Sequence, residues 1–330
     1  MIKTAVVGVG AMGRHHARVY STLPDVELVG VADINEEAAK DIADKYDTRA
    51  YTDYRQLILK ERPDAISIAT PTVFHKEVAL LALDCGIHLL IEKPIAHSVS
   101  SAKEIVTKAH EKGVKLMVGH IERFNPVICE LAKVLESNIL GDIVAMSAKR
   151  VGPFTDRITD VGVIIDIGVH DIDIMSYLFN DTISGVYASA GDSGGLLETY
   201  AMMMLKFNGG GTGIIETNRL TPRKIRQLTV TGTKGVAIAD YLKQTLDIHN
   251  GINYQPDIDN TEPLVNELSH FIECVREDKA PLINGLEGIH ALEVALSAIS
   301  SYQNNRFIDV REKSHSKSAR PGARIEGIPY

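Results

Sequence analysis

The chain has 330 residues, a length at which one hydrophobic core usually gives way to two domains. Hydrophobic residues make up 45% and charged residues 24%, which is the balance of a globular protein and argues against long disordered segments. The formal net charge is −8, and residues 1–310 contain no basic stripe, so nucleic acid is not an expected partner.

The sequence predicts neither a membrane segment nor a disulfide framework. No apolar run approaches the roughly 18 residues that cross a bilayer. The N-terminus enters a strand at once, without the layout of a signal peptide, so we expect a cytoplasmic protein with no membrane partner. Cys85, Cys129 and Cys274 lack the spacing of a zinc site, and we expect them to fill apolar gaps as free thiols.

Residues 1–120 alternate short apolar segments with amphipathic segments of helical length. The predicted strands are residues 4–7, 27–32, 65–69, 88–91 and 115–118. The predicted helices are residues 13–22, 36–46, 54–61, 74–85 and 98–112. The strands are continuous apolar runs, as in strands covered on both faces. This alternation predicts an α/β fold with a doubly wound parallel sheet, the Rossmann arrangement.

Residues 121–310 have a different pattern. A predicted helix at 126–137 and a strand at 143–151 precede a helix at 164–179, which ends at Asn180 and Asp181. Further strands follow at residues 185–190, 200–207, 213–217, 225–231, 236–239 and 244–249, and then helices at 263–277 and 285–303. Short turns between consecutive strands predict an α+β domain with a large, mostly antiparallel open sheet. Residues 311–330 are basic and lack apolar periodicity, which predicts a flexible tail.

A glycine-rich segment, Gly-Val-Gly-Ala-Met-Gly at 8–13, follows the first predicted strand and opens the first predicted helix. In this setting Gly8 permits a tight turn, Gly10 lets a pyrophosphate approach the backbone, and Gly13 lets the helix pack closely. The free N–H groups at the helix N-terminus would bind the phosphates. Asp33 ends the second strand, where a carboxylate binds the adenosine ribose and repels a 2′-phosphate. The sequence therefore predicts NAD rather than NADP as the cofactor.

Lys93 and an Asp–His pair are the candidates for chemistry. Lys93 lies in the Glu-Lys-Pro segment 92–94, so it should project into the crevice beyond the strand ends and could move a proton there. Asp166 and His170 are spaced i and i+4 on a predicted helix, where the carboxylate could fix the tautomer of the imidazole and raise its basicity. The alternatives are a surface lysine and a buried, satisfied histidine. A metal is not expected, because this stretch supplies too few ligands.

Four segments, taken in order, resemble the glucose–fructose oxidoreductase/inositol dehydrogenase (Gfo/Idh/MocA) family. They are residues 8–13, Ala-Thr-Pro-Thr at 69–72, Glu-Lys-Pro at 92–94 and Asp-Ile-Gly-Val-His-Asp at 166–171. The resemblance implies an NAD-binding Rossmann domain at 1–120 and a substrate domain at 121–310. The open sheet of the second domain commonly forms the oligomer interface in this family, which implies a homodimer or homotetramer.

The resemblance also implies roles for individual residues. Lys93, Asp166 and His170 match the catalytic positions, and whether Lys93 or His170 accepts the proton stays open. The residues expected to bind NAD are Gly8, Gly10, Ala11, Met12, Gly13, Asp33, Thr70, Pro71, His75, Glu92, Lys93 and Glu122.

Residues 118–126 and 150–158 resemble the branch of the family that acts on UDP-N-acetylglucosamine at its 3-hydroxyl. The expected substrate contacts are Lys93, Arg123, Asn125, Arg150, Arg157, Asp166 and His170. Arg150 and Arg157 are expected to pair with the diphosphate, because guanidinium binds phosphate in a bidentate manner, with surface ion pairs as the alternative. The expected reaction is oxidation of a ring hydroxyl to a ketone. A cyclitol or free-sugar dehydrogenase and, in another class, a non-catalytic NAD-binding redox sensor are the competing hypotheses.

Overall fold

The first of two β-sheets is parallel and occupies the N-terminal part of the chain. The computed structural model describes residues 1–154, 161–194, 197–251 and 253–310. The first sheet contains β1 (Ile2–Val7), β2 (Val26–Ala32), β3 (Ala50–Tyr51), β4 (Ala65–Ile68), β5 (His88–Glu92) and β6 (Leu116–Gly119). Its order is β3-β2-β1-β4-β5-β6, with every neighbouring pair parallel. The predicted doubly wound sheet is confirmed, and the two-residue strand β3 is the one that the apolar pattern missed.

Helices cover both faces of this sheet. They are α1 (Gly13–Tyr20), α2 (Glu36–Lys45), α3 (Tyr54–Glu61), α4 (His75–Asp84) and α5 (Val99–Lys112). Several begin at polar caps, since the side chain of Asn35 accepts the N–H of Ala38 and that of Ser98 accepts the N–H of Ser101. Gly113 ends α5 in the left-handed conformation. α2 and α5 therefore begin where the sequence supplies capping residues, whereas α1 and α4 begin without a side-chain cap.

The second sheet is mostly antiparallel. It contains β7 (Ile143–Val151), β8 (Ile183–Gly191), β9 (Tyr200–Phe207), β10 (Thr212–Asn218), β11 (Ile225–Gly232), β12 (Gly235–Asp240), β13 (Thr245–His249), β14 (Asn253–Tyr254) and β15 (Ile308–Asp309). Its order is β14-β13-β12-β11-β7-β10-β9-β8-β15. β7 lies between β11 and β10 and is parallel to β10, whereas the other neighbouring strands are antiparallel. Along β9 buried and exposed residues alternate, so one face of the sheet is covered and the other is open.

The remaining helices are α6 (Pro126–Glu136), α7 (Val169–Phe179), α8 (Pro263–Arg276) and α9 (Gly285–Asn304). The predicted helix at 164–179 differs from the structure in its first turn, because Ile164–Gly168 is π-helical and α7 starts only at Val169. Single π-helical turns occur frequently at functional sites. Asn180 ends α7 in the left-handed conformation, as expected.

The two closing helices connect the two sheets. α8 packs on α1, and α9 contacts α5 and β6 of the first sheet as well as β8 of the second. Residues from the predicted second domain therefore also cover the first, and the domain bounds at 120 and 310 stay a prediction. The predicted tail at 311–330 lies outside the described residues. No described helix combines the length and the apolar character that crossing a bilayer requires.

Candidate active site

Four of the predicted cofactor residues lie along one edge of the parallel sheet. Gly8 follows β1, Asp33 follows β2, Thr70 lies just beyond β4, and Glu92 ends β5. Parallel neighbouring strands present their carboxyl ends at the same edge, so segments far apart in sequence meet there.

The glycine-rich turn depends on close backbone contacts. Gly8 has a φ of +88°, and a Cβ atom there would lie 2.7 Å from the backbone of Ala69 and Thr70. A Cβ atom on Gly13 would lie 1.7 Å from the carbonyl oxygen of Gly8. At Gly10, by contrast, nothing lies within 4 Å of such an atom. An open backbone position at the start of a helix fits a dinucleotide pyrophosphate.

Asp33 joins the end of β2 to this turn. Its Oδ2 accepts the N–H of Val9 at 2.8 Å, and its Oδ1 accepts the N–H of Asn35 at 2.9 Å. Each carboxylate oxygen can accept a further hydrogen bond, so the group can still bind a ribose hydroxyl. Ala11 and Met12 lie half-buried in the turn beside it.

Thr70, Pro71 and His75 form the segment after β4. His75 is buried, with Nε2 2.9 Å from the carbonyl oxygen of Thr70 and Nδ1 3.1 Å from that of Pro94. Both ring nitrogens thus face backbone carbonyls, so His75 joins the segments that follow β4 and β5, and its contact with the cofactor stays a prediction. Pro71 is exposed, and the buried hydroxyl of Thr70 has no hydrogen-bond partner among the described residues. An orphaned buried hydroxyl at this edge fits a site for a bound dinucleotide.

Glu92 lies behind Lys93 in a buried chain of polar side chains. Its Oε1 is 3.0 Å from Nε2 of His16, and its Oε2 accepts the N–H of Lys93 at 3.2 Å. Nδ1 of His16 is 3.0 Å from Oγ of Ser67, which lies 2.8 Å from the hydroxyl of Tyr20. Burial alone would raise the pKa of Glu92, but His16 and Lys93 outweigh it and hold that pKa below its usual range. Glu92 therefore positions Lys93, and its contact with the cofactor stays a prediction.

Lys93 reaches from the first sheet to the π-helical turn of the second half. Its Nζ donates to the carbonyl oxygen of Asp166 at 2.7 Å and to Oδ1 of the same residue at 3.2 Å. The other carboxylate oxygen accepts from Nη2 of Arg219 at 2.7 Å. Burial alone would raise the pKa of Asp166, but the Lys93 and Arg219 cations lower it overall. The ammonium is thus fixed beside an ionised carboxylate, and these contacts use two of its three N–H donors.

His170 lies in the same cluster but does not pair with Asp166. Its Nδ1 atom is buried with no hydrogen-bond partner among the described residues. Burial lowers the pKa of His170 well below its usual value, and the positive charges of Lys93 and Arg150 lower it further. The imidazole is therefore neutral near pH 7 and can accept a proton.

The predicted Asp166–His170 couple is wrong in its geometry. The i,i+4 argument assumes an α-helix, whereas the turn that contains Asp166 is π-helical. Both carboxylate oxygens of Asp166 face the cations Lys93 and Arg219 instead of the imidazole. The basicity of His170 is correspondingly lowered rather than raised.

Arg150 occupies the centre of a buried ion cluster. Its Nε and Nη2 donate to the two carboxylate oxygens of Asp171 at 2.9 and 3.0 Å, and its Nη1 donates to Oε1 of Glu122 at 2.5 Å. The guanidinium carbon lies 4.7 Å from the centre of the Tyr241 ring. Arg150 is only 3% exposed, so the structure does not support its predicted contact with a diphosphate. Glu122, predicted at the cofactor, also lies in this cluster.

Arg123 is bound in the same way. Its Nε and Nη2 donate to the two carboxylate oxygens of Asp173 at 2.8 and 2.7 Å, and its Nη1 donates to Oε1 of Glu287 at 2.5 Å. The side chain is buried and fully engaged in joining three segments of the fold. The structure therefore does not support the predicted substrate contact of Arg123. The sequence shows the residue type, but it does not show that Asp173 and Glu287, from distant elements, bind this side chain.

The side chain of Asn125 makes its hydrogen bonds inside the protein and does not face an open surface. Its Oδ1 accepts the N–H of Val127 at 3.3 Å, which caps α6, and also accepts from Nε2 of Gln244 at 2.9 Å. Its Nδ2 donates to Glu122 at 3.2 Å. A substrate contact of this buried side chain is not supported either. Arg157, the remaining predicted contact, lies outside the described residues.

Three residues that the motifs did not single out lie in or beside the site. His120 directly follows β6, and its buried Nδ1 lies 3.9 Å from the Asp173 carboxylate. Because His120 directly follows a parallel strand, its position at the site could have been predicted from the sequence. Arg219, after β10, and Arg226, in β11, had no local signal, because their positions depend on β7 lying between those two strands.

Two sequence models of one family match the chain. A model described as an oxidoreductase family with an NAD-binding Rossmann fold matches residues 2–120. A GFO/IDH/MocA C-terminal domain model matches residues 128–238. The matches follow each other along the chain, first over the parallel sheet and then over most of the second sheet.

Individual relatives match over nearly their whole length. UDP-N-acetylglucosamine 3-dehydrogenase from Acidithiobacillus ferrooxidans is 29% identical over 310 residues, which covers 89% of this chain and 95% of that protein. A solved structure of that enzyme gives a TM-score of 0.86 and covers 92% of this chain and 98% of its own. scyllo-Inositol 2-dehydrogenase (NAD(+)) from Bacillus subtilis is 28% identical over 333 residues, which covers 94% and 97% of the two chains.

Proposed function

The chain belongs to the Gfo/Idh/MocA family and is an NAD-dependent sugar or cyclitol dehydrogenase, and we propose that its substrate is UDP-N-acetylglucosamine, oxidised at the 3-hydroxyl. The 29% identity to the A. ferrooxidans enzyme over 95% of its length supports this choice of substrate. The inositol dehydrogenase from B. subtilis, at 28% identity, keeps a cyclitol as the second candidate.

The observation that carries the reaction is the placement of a fixed ammonium and a neutral imidazole in one cluster. Lys93 is bound to Asp166, and His170 lies one helical turn further along the same continuous segment, where the positive charge of Lys93 contributes to its lowered pKa. His170 has an unpartnered ring nitrogen and is held neutral, as a proton acceptor must be.

We assign the proton to His170 and the orientation of the hydroxyl to Lys93. The remaining N–H of Lys93 donates to the sugar oxygen and stabilises the negative charge that develops when the hydroxyl proton moves to His170. Asp166 positions the ammonium, and Arg219 holds the second oxygen of Asp166. When bound, NAD⁺ supplies the acceptor for the hydride that leaves the ring carbon as the ketone forms.

A substrate panel followed by NADH absorbance tests this proposal. We expect turnover of UDP-N-acetylglucosamine and none of myo- or scyllo-inositol. Lys93→Ala and His170→Asn should abolish turnover, whereas Lys112→Ala, on the exposed side of α5, should not. If only an inositol is turned over, the substrate is a cyclitol instead of a nucleotide sugar, and the protein is still a dehydrogenase. Full activity of Lys93→Ala would contradict the assigned chemistry, whereas NAD binding by the wild type without turnover of any substrate in the panel would favour the redox-sensor alternative.

We also propose that the open face of the second sheet joins copies of the chain into a homodimer or homotetramer. Tyr187, Met202, Met204 and Ile214 are between 36% and 49% exposed on that face. The strand register places Tyr187 and Ile214 on either side of Met204, so the apolar surface is continuous. Met204→Lys should lower the oligomeric state in sedimentation velocity, and a monomeric wild type would contradict the proposal. The cytoplasmic location stays a prediction.

A further inference from the structure

Two arginines face each other across neighbouring strands beside the candidate site. Arg226 in β11 is in register with Arg150 in β7. Residues paired in this way lie on the same face of the sheet, and like charges directly opposite each other are unfavourable. The pair therefore needs negative charge around it.

The two arginines are compensated unequally. Arg150 has both oxygens of Asp171 and a contact of 2.5 Å with Oε1 of Glu122. Among the described residues, the side chain of Arg226 has one hydrogen-bond contact, from Nη1 to that same Oε1 atom at 3.4 Å. Its Nε is buried with no partner among the described residues, although 34% of the side chain is exposed. Arg226 therefore has donors that the described residues leave unused, and part of it faces solvent.

Lys224, directly before the same strand, adds positive charge. Arg226 lowers the pKa of Lys224, and burial together with Arg150 lowers the pKa of Arg226. Both directions are those expected where positive charges crowd together, and a bound anion would relieve the crowding. Arg226 shares Oε1 of Glu122 with Arg150, and Arg150 binds Asp171, the residue after His170, so this position adjoins the catalytic cluster.

We propose that Arg226 and Lys224 form an anion-binding position that holds the diphosphate of a nucleotide-sugar substrate. The inference rests on the proposed function, because it names the ligand group bound beside that same catalytic cluster. A guanidinium matches the paired oxygens of a phosphate, and an ammonium adds a compact charge next to it. The sequence predicted a diphosphate contact for Arg150. We thus assign that contact to Arg226, which lies opposite Arg150 on the neighbouring strand.

Calorimetric titration of UDP and of uridine into the NADH-loaded protein tests this position without relying on turnover. We expect UDP to bind at least about tenfold more tightly than uridine, because the diphosphate adds charge-assisted hydrogen bonds. Arg226→Gln should weaken UDP binding by about tenfold or more, and Lys224→Gln by a smaller factor. Lys234→Gln removes the same charge at the opposite end of β11 and should bind UDP as the wild type does. Arg226→Lys, which keeps the charge, should lie between the wild type and Arg226→Gln and serves if the glutamine variant does not fold.

Three results would overturn the inference. UDP affinity within twofold of the wild type in Arg226→Gln is the first, and equal binding of UDP and uridine by the wild type is the second. A parallel fall in NADH affinity is the third, because the position would then hold the cofactor pyrophosphate. If the wild type turns over UDP-N-acetylglucosamine but Arg226→Gln binds UDP with unchanged affinity, the anion-binding position is wrong and the proposed function remains. Inositol turnover without UDP binding removes the nucleotide-sugar proposal as well.

Discussion

Replacing Asp166 by asparagine tests the arrangement that fixes Lys93. The carboxylate accepts from Lys93 at 3.2 Å and from Arg219 at 2.7 Å, and the two cationic side chains are only 17% and 7% exposed. Asparagine offers one carboxamide oxygen where aspartate offers two carboxylate oxygens, so at least one charge-assisted hydrogen bond is lost.

The size of the effect follows from these contacts. A hydrogen bond to a charged group contributes about 1.5–3 kcal/mol. Lys93 keeps its bond to the backbone carbonyl of Asp166 at 2.7 Å, which the substitution leaves intact, so we expect the loss of one such bond. At about 1.4 kcal/mol per tenfold change in rate, kcat/KM should fall by about 10- to 150-fold.

The assay is NADH formation from the best substrate of the panel. Asp44→Asn, on the exposed side of α2, is the matched control and should keep wild-type kcat/KM. NADH affinity, measured by fluorescence titration, should be unchanged in Asp166→Asn, because the substitution lies away from the glycine-rich turn. If Asp166→Asn retains wild-type kcat/KM while Lys93→Ala is inactive, the reasoning about Asp166 is refuted.

Three further measurements test the buried charges. Because the pKa of His170 lies well below its usual 6.5, kcat/KM for oxidation should hold down to about pH 6.5 and decline only below it; an acid limb centred above pH 7 would indicate another base. Asp173→Asn leaves Arg123 buried with one carboxylate fewer, and the free energy of unfolding in urea should fall by about 3–5 kcal/mol; a change below about 1 kcal/mol would contradict this. Burial and the negative charge of Glu92 raise the pKa of Glu267 well above 4.5. The carboxyl group of Glu267 therefore binds its proton more tightly in the folded wild type than in the unfolded chain. As a result, the folded protein loses stability as pH rises from about 4.5 through the folded pKa of Glu267. The stability of Glu267→Gln relative to the wild type should therefore increase with pH, by at most about 1.4 kcal/mol per unit, and equal slopes for the two proteins would exclude this role.

Much of the candidate site follows from local sequence signals. The glycine-rich turn and Asp33 each come directly after an apolar strand, and the Glu-Lys-Pro segment begins at the last residue of β5. In a parallel sheet the residues that follow strands gather at one edge, so their convergence needs no knowledge of side-chain contacts. Lys93 was predictable for this reason, and His120 follows β6 in the same way.

The predicted substrate contacts that the structure does not support share one physical feature. Arg123, Asn125 and Arg150 are polar residues near the cleft in sequence, and residue type alone suggests that they bind substrate. Their partners, among them Asp173 and Asp171, come from another segment of the chain, and once paired the arginines are buried. A sequence does not reveal which charges neutralise each other in the interior.

By itself the sequence determined the Rossmann half, the cofactor edge and the identity of Lys93 and His170 as candidates, because strand-to-helix turns and apolar periodicity are local properties. Only the tertiary structure decided what those groups face. It places β7 between β10 and β11, which brings Arg219 and Arg226 to the site, and it forms a π-helical turn that directs Asp166 to Lys93 instead of His170. Strand order and charge pairing depend on contacts between residues far apart in sequence, and those contacts exist only after folding.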